Sequence, residues 1–289
     1  MTKLRLDKWG IAIGDGAPLF VIAGLNVLED LDLAIATARH LKSVTDKLGL
    51  PFVFKASFDK ANRSSIKSYR GPGLEDGLRI LRVVKERVSV PIATDIHEVA
   101  QAEPVAEVAD LVQIPAFLCR QTDLVVAAAR ATDKAGGLLH IKKGQFLAPW
   151  DCRNIIAKVK EAVPRDMVIL CERGTSFGYN NLIVDMLAIG EMKLASGGAP
   201  VTIDATHAVQ LPGADSRTQG ASTGGRREGV SVIAKAAVAA GADGVFLEFH
   251  PDPDKALCDG PSCLPLATAQ GLLTTLKAVH AAIRMSTVE

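Results

Sequence analysis

The feature that most limits the possible folds is a regular alternation of short apolar segments with longer amphipathic ones. Eight short segments are nearly continuously apolar, as strands of buried parallel sheets are, and each is followed by a stretch of helical length. The strand candidates are 19–23, 52–55, 91–94, 111–114, 138–142, 167–171, 200–204 and 244–248; the helix candidates are 31–48, 74–87, 98–108, 121–133, 152–162, 181–190, 226–240 and 266–284. Eight strand-helix units predict an α/β fold of the (β/α)8 TIM barrel type.

An open, doubly wound sheet is disfavoured by missing motifs. No GxGxxG follows the first strand, and no GKS or GKT occurs in the chain. Residues 4–13, LRLDKWGIAI, resemble a small two-stranded hairpin that would cap one end of the barrel. We therefore predict one catalytic domain over residues 1–289, with residues 1–17 as an N-terminal hairpin extension.

Composition excludes several classes of partner. A net charge of +1 and a pI near 7.7 provide no overall field to attract nucleic acid or an anionic membrane. No apolar run is long enough to span a membrane and the N-terminus lacks the core of a signal peptide, so we expect a cytoplasmic protein. The five cysteines are odd in number and scattered, which favours reduced thiols. Cys258 and Cys263 match no usual zinc spacing, and we interpret them as structural.

Residues 55–65, KASFDKANRSS, place three cations where the second strand becomes a loop. Arginine offers a planar fork to phosphate or carboxylate, lysine a compact point charge, and the small polar residues complete the hydrogen bonds. The segment therefore favours an anion site, although a solvated charged turn would have a similar composition.

Polar or charged residues recur at the carboxyl ends of nearly all the predicted strands. They are Asn26; Lys55, Ser57 and Lys60; Asp95 and His97; Gln113; Lys142 and Lys143; Glu172 and Arg173; Asp204 and His207; and Glu248 and His250. The strand starts instead carry mostly proline or glycine without chemistry. Unpaired buried charge is costly and barrel enzymes build their sites at the carboxyl ends, so this asymmetry indicates an enzyme.

Three of these cations, Lys60, Lys142 and Arg173, come from different strands and would converge on one small, multiply charged anion. Arg63, with Asn62 and Ser64, would hold a second phosphate further along its loop. Two phosphorylated substrates are therefore favoured. Asp95, Asp259, Glu248 and His207 are candidate acids and bases, and the same residue types could bind metal.

Two other functional classes remain open at this point. Lys55 or Lys142 could instead form a Schiff base, as in an imine-forming aldolase. A barrel that binds sugar phosphates but has lost activity, and serves as a sensor or scaffold, is the third class. His40, His140 and His280 occupy ordinary helix or strand positions, and we assign them structural roles.

The motifs together resemble those of the 3-deoxy-D-manno-octulosonate 8-phosphate synthases. They are KASFDKANRSSIKSYRGPGLE, TDIHE, QIPAFLCRQTDL, IKKGQF, CERGTSFGYNNLIVDM, IDATHAVQ and HPDPDKALCDGPSCLPL, within residues 19–270. The related heptulosonate synthases have a KPRTS-like segment where this chain has KANRSS. The resemblance implies a transferase that condenses phosphoenolpyruvate, D-arabinose 5-phosphate and water into the eight-carbon keto acid phosphate and phosphate. In a Gram-negative bacterium this reaction would supply lipopolysaccharide biosynthesis.

The resemblance also implies a role for each matching residue. The expected phosphoenolpyruvate ligands are Lys60, Lys142 and Arg173, with Lys55, Ser57, Gln113 and the Ala116 backbone beside them; the expected aldose phosphate ligands are Asn62, Arg63 and Ser64, with Arg63 and Ser64 reaching across from a neighbouring subunit. Asn26, Asp95, His207, Glu248 and Asp259 would surround the reacting carbons and the water. A homotetramer is implied.

Three features concern the chain's place within that family. Gly144 stands where the family usually has proline, which we expect to loosen the turn after Lys142. Segment 211–225 is longer than usual and is either a mobile lid or a disordered surface loop. Metal-dependent members have cysteine where this chain has Asn26, while His207, Glu248 and Asp259 match the other three ligands. Because a carboxamide is a poor ligand for such metals, we expect no metal and no cofactor.

Overall fold

Eight parallel strands close into a barrel within residues 2–214 and 223–286, the part of the chain that the computed structural model describes. With all strands numbered in chain order, the eight barrel strands are β3 (Phe20–Val27), β4 (Phe52–Ser57), β5 (Ile92–Asp95), β6 (Leu111–Ile114), β7 (Leu138–Lys142), β8 (Val168–Glu172), β11 (Val201–Asp204) and β14 (Gly244–His250). The other described strands are short: β1 (Lys3–Leu6), β2 (Ile11–Gly14), β9 (Thr175–Ser176), β10 (Leu182–Ile183), β12 (Gln210–Leu211), β13 (Gly224–Gly225) and β15 (Leu264–Pro265). Strands β3 to β8 pair in chain order, and β11 pairs with both β8 and β14. Because β14 pairs with β3, the ring is complete and the predicted TIM barrel is confirmed.

The helices form the outer layer. They are α1 (Leu31–Leu48), α2 (Leu74–Val88), α3 (Ala102–Ala106), α4 (Thr122–Lys134), α5 (Cys152–Ala162), α6 (Leu187–Ala195), α7 (Ala205–Ala208), α8 (Gly229–Ala239) and α9 (Ala269–Ser286). The first is bounded as its sequence predicts, because Asp30 Oδ1 accepts a hydrogen bond from Leu33 N at 2.8 Å and Gly49 ends the helix at φ 63°. In the part of the chain described, no helix is long and apolar enough to cross a membrane.

Two helix predictions were wrong in extent. Residues 98–108 contain a 3-10 turn, Val99–Gln101, closed by a capping box from Glu98, and only the short α3 follows it. Residues 181–186 are not helical, because β10 pairs antiparallel with β9 and makes a small hairpin above the barrel. Helix α6 starts only at Leu187, whose backbone N donates to Asp185 Oδ1 at 2.9 Å.

The N-terminal hairpin covers the amino end of the barrel. Strands β1 and β2 pair antiparallel around the turn Asp7–Trp9, and Leu4, Leu6 and Ile13 pack into the hydrophobic core. The predicted hairpin is thus confirmed, and it caps the end opposite the carboxyl ends of the strands. The five cysteines are buried free thiols, and burial raises the pKa of Cys152 and Cys171 to about 12.

Two matching ion pairs hold this amino end together. Asp110 accepts from Lys85 Nζ at 2.8 Å and from Ile92 N at 2.9 Å. Asp243 accepts from Lys193 Nζ at 2.9 Å and from Val201 N at 2.8 Å, in the same arrangement four barrel strands later. The strand starts led us to expect an amino end without charged groups, and that expectation was incomplete. Asp110 and Asp243 are charged, but each is paired with a lysine and with strand backbone.

We expect Asp110→Ala and Asp243→Ala each to lower the free energy of unfolding by about 2 to 3 kcal/mol, because each leaves a partly buried lysine and a strand N–H without their acceptor. Asp76→Ala is the control, since its pair with Arg79 is exposed and contributes about 0.5 kcal/mol or less. Urea unfolding curves measure both effects. Equal midpoints for Asp110→Ala and Asp76→Ala would show that the amino-end pair is energetically unimportant.

Candidate active site

The carboxyl ends of the barrel strands enclose a cleft of two adjoining cavities. One, of about 290 Å³, is lined among others by Lys60, Asp95, His97, Gln113, Ala116, Lys142, Gln145, Arg173 and His207. The other, of about 170 Å³, is lined among others by Lys60, Asn62, Arg63, Ser64, Gln145, Arg173, His207, Gln210, Cys258 and Asp259. Because Lys60, Arg173 and His207 line both cavities, they form one continuous cleft.

A larger cavity, of about 400 Å³, lies at the amino end beside Trp9 and Lys134. Its less exposed charges, Lys85 and Asp110, are committed to each other and to the backbone, as described above. The cleft at the carboxyl ends is the better candidate site, because buried groups there still lack partners.

Arg173 is the clearest of these unsatisfied groups. Its side chain is buried, and Nη2 donates to Gln210 Oε1 at 3.1 Å. Its Nη1 is also buried and has no hydrogen-bond partner among the described residues. A buried donor of a charged group left unpaired is costly, so this atom is placed for an anion that enters the cleft.

A buried ion pair lies directly behind the cleft. Lys143, fully buried, has its Nζ 3.6 Å from Glu172 Oε2 and 3.1 Å from Thr175 Oγ1. Glu172 Oε1 accepts from the backbone N of Arg173 at 3.0 Å and of Gly174 at 2.6 Å. Strand alternation thus sends Lys142 and Arg173 into the cleft while Lys143 and Glu172 fix the ends of β7 and β8 from behind.

The segment after Lys142 forms backbone hydrogen bonds on both sides of the Gly144 Cα, and the loosening expected from this glycine stays a prediction. The backbone N of Lys143 donates to Cys171 O at 2.8 Å, and Leu147 N donates to Gly144 O at 3.0 Å. A Cβ at position 144 would stand only 2.8 Å from the ring of Phe146. Glycine is therefore the residue that lets Phe146 fold back over this turn.

The carboxylates around His207 favour the charged form of its imidazole. Its Nδ1 lies 2.8 Å from Asp204 Oδ2, and its Nε2 lies 3.5 Å from Glu248 Oε2. Burial opposes the positive charge, but the attraction of Asp204 and Glu248 outweighs it and raises the pKa of His207 above 6.5. Asp204 also accepts a hydrogen bond from Lys142 Nζ at 2.5 Å, so one carboxylate contacts both His207 and Lys142.

Asn26 lies between the two carboxylates that face His207. Its Nδ2 donates to Glu248 Oε2 and, at 3.2 Å, to Asp259 Oδ2, while its Oδ1 has no partner among the described residues. The pKa of Asp259 is lowered, because the hydrogen bond and charge of His207 outweigh the effect of burial. Position 26 therefore offers a neutral carboxamide rather than a thiolate, and a carboxamide is a poor ligand for soft or borderline metals.

Four side chains meet at the carboxyl ends of β4 and β5: those of Lys55, Ser57, Asp95 and His97. Lys55 Nζ donates to Ser57 Oγ at 2.7 Å and lies 3.7 Å from Asp95 Oδ1, while His97 Nε2 lies 3.0 Å from Asp95 Oδ2. Burial and the charge of Lys60 lower the pKa of Lys55 to about 8. Neither Lys55 nor Ser57 lines the cavities, however, so the structure places both in the floor of the cleft rather than at its surface.

The loop after β4 brings the predicted aldose phosphate residues to the other half of the cleft. Arg63 Nη1 donates to Cys258 Sγ and, at 3.4 Å, to Asp259 Oδ1, while its Nε has no partner among the described residues. Asn62 and Ser64 line the same cavity. Arg63 and Ser64 thus line this chain's own cleft, and the expectation that they reach across from a neighbouring subunit stays a prediction.

Sequence reasoning missed Gln145 and Gln210. Both are buried and line the cleft, and Gln145 Oε1 has no partner among the described residues. Each follows a predicted site residue by three positions, Lys142 and His207 respectively, which was the available signal. The segment 211–225 starts and ends in the paired strands β12 and β13, but residues 215–222, on which the lid prediction depends, lie outside those described.

Comparison with known proteins relates this site to a family. Residues 1–284 match the model described as the DAHP synthetase I family. A "2-dehydro-3-deoxyphosphooctonate aldolase" of Desulfosudis oleivorans is 55% identical over 272 residues, covering 94% of each chain. Proteins of the same name from Shewanella piezotolerans and Trichlorobacter lovleyi are 53% and 51% identical, covering 96% and 98% of this chain and 95% and 100% of their own. The chain therefore belongs to the DAHP synthetase I family, together with these aldolases.

Proposed function

We propose that this protein is a 3-deoxy-D-manno-octulosonate 8-phosphate synthase, which condenses phosphoenolpyruvate with D-arabinose 5-phosphate and water and releases phosphate. The observation that carries the proposal is the cleft itself, with one cationic cluster around the unpaired Nη1 of Arg173 and a second around Arg63. Two groups of anion-binding residues in adjoining cavities of one cleft suit two phosphorylated substrates. The aldolase name of the relatives refers to the same eight-carbon product.

Phosphoenolpyruvate occupies the half of the cleft that contains Lys60, Lys142, Arg173 and Gln113. Its carbon three attacks the aldehyde carbon of arabinose 5-phosphate, whose phosphate is held by Arg63 with Asn62 and Ser64. A carbon-carbon bond forms, the aldehyde oxygen takes up a proton, and positive charge develops at carbon two of phosphoenolpyruvate. Water adds at that carbon and loses one proton. The new hydroxyl then gives up its second proton as the keto group forms, and the bond between carbon two and the phosphate oxygen breaks to release phosphate.

Glu248 and Asp259 support the charged stages of this reaction. Their pKa values are lowered, chiefly by His207 and Lys60 against the effect of burial, so both carboxylates are ionised at neutral pH. Fixed negative charge near carbon two stabilises the cationic character and orients the attacking water. His207 Nε2 lies 3.5 Å from Glu248 Oε2 and 3.7 Å from Asp259 Oδ2, which places a proton donor beside both carboxylates, and the cations around Arg173 stabilise the departing phosphate.

The direct test is phosphate release from phosphoenolpyruvate. We expect release to require arabinose 5-phosphate and the product to be the eight-carbon keto acid phosphate. Release without the aldose, or none with it, would refute the proposed function and leave a binding protein. Borohydride in the presence of substrate should trap no adduct, since an imine would be required only by the Schiff-base alternative.

Arg63→Ala should raise the KM for arabinose 5-phosphate about ten- to a hundredfold and leave that for phosphoenolpyruvate within twofold. Loss of a charge-assisted hydrogen bond to phosphate costs about 1.5 to 3 kcal/mol, and Arg63 lines the cavity assigned to the aldose phosphate but not the one assigned to phosphoenolpyruvate. Arg173→Ala should show the opposite selectivity. The control is Arg79→Ala on the exposed face of α2, which should change neither constant. Equal losses for both substrates in Arg63→Ala would contradict the division of the cleft.

We further propose that the enzyme belongs to the metal-independent branch of its family. Support comes from Asn26, whose amide hydrogens bridge Glu248 and Asp259 where a cysteine ligand would bring negative charge. No step above is assigned to a metal. Asn26 and Asp259 hold substrate or water in the position that a metal complex would take.

Exhaustive treatment with a chelator should leave wild-type activity unchanged, with bound metal measured in parallel. Asn26→Cys should create measurable affinity for manganese or zinc, because His207, Glu248 and Asp259 already lie beside that position. Asn26→Ser is the matched control: it shortens the side chain without adding a thiolate and should bind no metal. Loss of wild-type activity that manganese or zinc restores would overturn the assignment.

We also propose that the protein is cytoplasmic, that it supplies lipopolysaccharide biosynthesis and that it forms a homotetramer. The tetramer is supported by three aromatic side chains exposed around the cleft, Phe117, Phe177 and Tyr179, which are 53%, 65% and 99% exposed. Exposed aromatic groups of this size favour contact with another surface. Sedimentation velocity of the purified protein measures the assembly.

A further inference from the structure

His140 connects the cleft to the barrel interior through Gln113. Its Nδ1 lies 3.1 Å from Gln113 Oε1, and its Nε2 lies 2.9 Å from Thr202 Oγ1. The three side chains are buried, with exposures of 3% for Gln113 and 0% for His140 and Thr202. The imidazole also stacks on Phe246, with 6.0 Å between ring centroids and 9° between planes. The ring is thereby fixed at both nitrogens and on one face.

Two proton arrangements satisfy this chain of hydrogen bonds. Thr202 Oγ1 has one proton and lies within reach of both His140 Nε2 and, at 3.2 Å, the carbonyl oxygen of Leu170. If the hydroxyl donates to Leu170, Nε2–H donates to Thr202 and Nδ1 must accept from the Gln113 amide. If the hydroxyl donates to Nε2, the Nδ1–H donates to Gln113 Oε1, and the amide NH2 of Gln113 is left for the cleft.

We propose that His140 is a positioning residue that holds Gln113 with its NH2 towards the cleft, as a hydrogen-bond donor to the phosphoenolpyruvate anion. The structure has Oε1 of Gln113 facing His140, as the second arrangement requires. The surroundings favour the same choice, because Gln113 shares its cavity with Lys142 and Arg173. An amide oxygen aimed at the bound anion would repel it, whereas the NH2 adds a donor.

The imidazole suits this role because it stays neutral. Burial, reinforced by the charge of Lys142, lowers the pKa of His140 to about 3. A neutral ring has one N–H, so the proton at one nitrogen determines the role of the other. The structural role that we assigned to His140 from sequence is thereby extended, and the inference rests on the proposed function, since it assumes an anion beside Gln113.

The tautomer can be read directly in the wild-type protein. In protein labelled with ¹⁵N-histidine, two-bond proton-nitrogen spectra distinguish the two tautomers, and His140→Phe identifies the resonances of His140. With phosphoenolpyruvate added, we expect Nδ1 to be protonated and Nε2 to be bare. A proton on Nε2 in that complex would overturn the inference. Calorimetry on the same sample measures phosphoenolpyruvate binding independently, and its absence would overturn the proposed function instead.

Kinetics provide a second test. His140→Phe keeps a flat ring against Phe246 but removes both hydrogen bonds, so we expect the KM for phosphoenolpyruvate to rise about tenfold, while that for arabinose 5-phosphate stays within twofold. Thr202→Val keeps the shape but leaves the tautomer unfixed, and should give a smaller rise in the same direction. A general loss of packing would instead affect both substrates or the melting temperature alone, and either of those results contradicts the positioning role.

The matched control is Thr132→Val on α4. Thr132 is as buried as Thr202, and its hydroxyl has no partner among the described residues, but it lies outside the cleft. We expect both KM values to remain at wild-type levels. A rise in the KM for phosphoenolpyruvate in this control equal to that of Thr202→Val would show that any buried threonine produces the effect.

Discussion

The free-energy cost of burying charge shapes the carboxyl end of this barrel. Lys142, Asp204 and His207 form one alternating group of charges, and Lys143 with Glu172 forms another directly behind it. Buried ions are tolerated when each has an opposite charge and its hydrogen bonds are satisfied. Against this background the Nη1 of Arg173 stands out, because it is a buried donor of a charged group without a partner among the described residues and its side chain lines the cleft.

The same rule separates structural charges from functional ones. At the amino end, Asp110 and Asp243 each satisfy a lysine and a strand N–H, and the other charged residues that line the cavity there are exposed to solvent. At the carboxyl end the charges are shared among several neighbours and still leave donors free. Both ends carry charge, but the buried atoms of charged side chains that lack a hydrogen-bond partner among the described residues lie at the carboxyl end.

Asn26 shows how one neutral side chain alters the chemistry of its neighbours. Its amide donates to Glu248 and Asp259, and the charges of His207 and nearby lysines lower the pKa of both carboxyl groups against the effect of burial. The carboxylates are consequently free to act on charge that develops in the substrate. We propose a comparable role for His140 deeper in the barrel, where its neutral ring orients the Gln113 amide.

The sequence by itself determined the barrel, because apolar runs of strand length that alternate with amphipathic helices have few ways to bury their surfaces. It also determined which side chains meet at the cleft, since parallel strands bring their carboxyl ends together. Tertiary structure decided what lies around each of them. Lys55 and Ser57 lie beneath the cleft and do not line it. Contacts between segments distant in sequence determine the positions of Gln145, Gln210 and His140. Periodicity records which face of a strand is buried, whereas hydrogen-bond partners, proton positions and unpaired donors depend on atoms that only the closed barrel brings within reach.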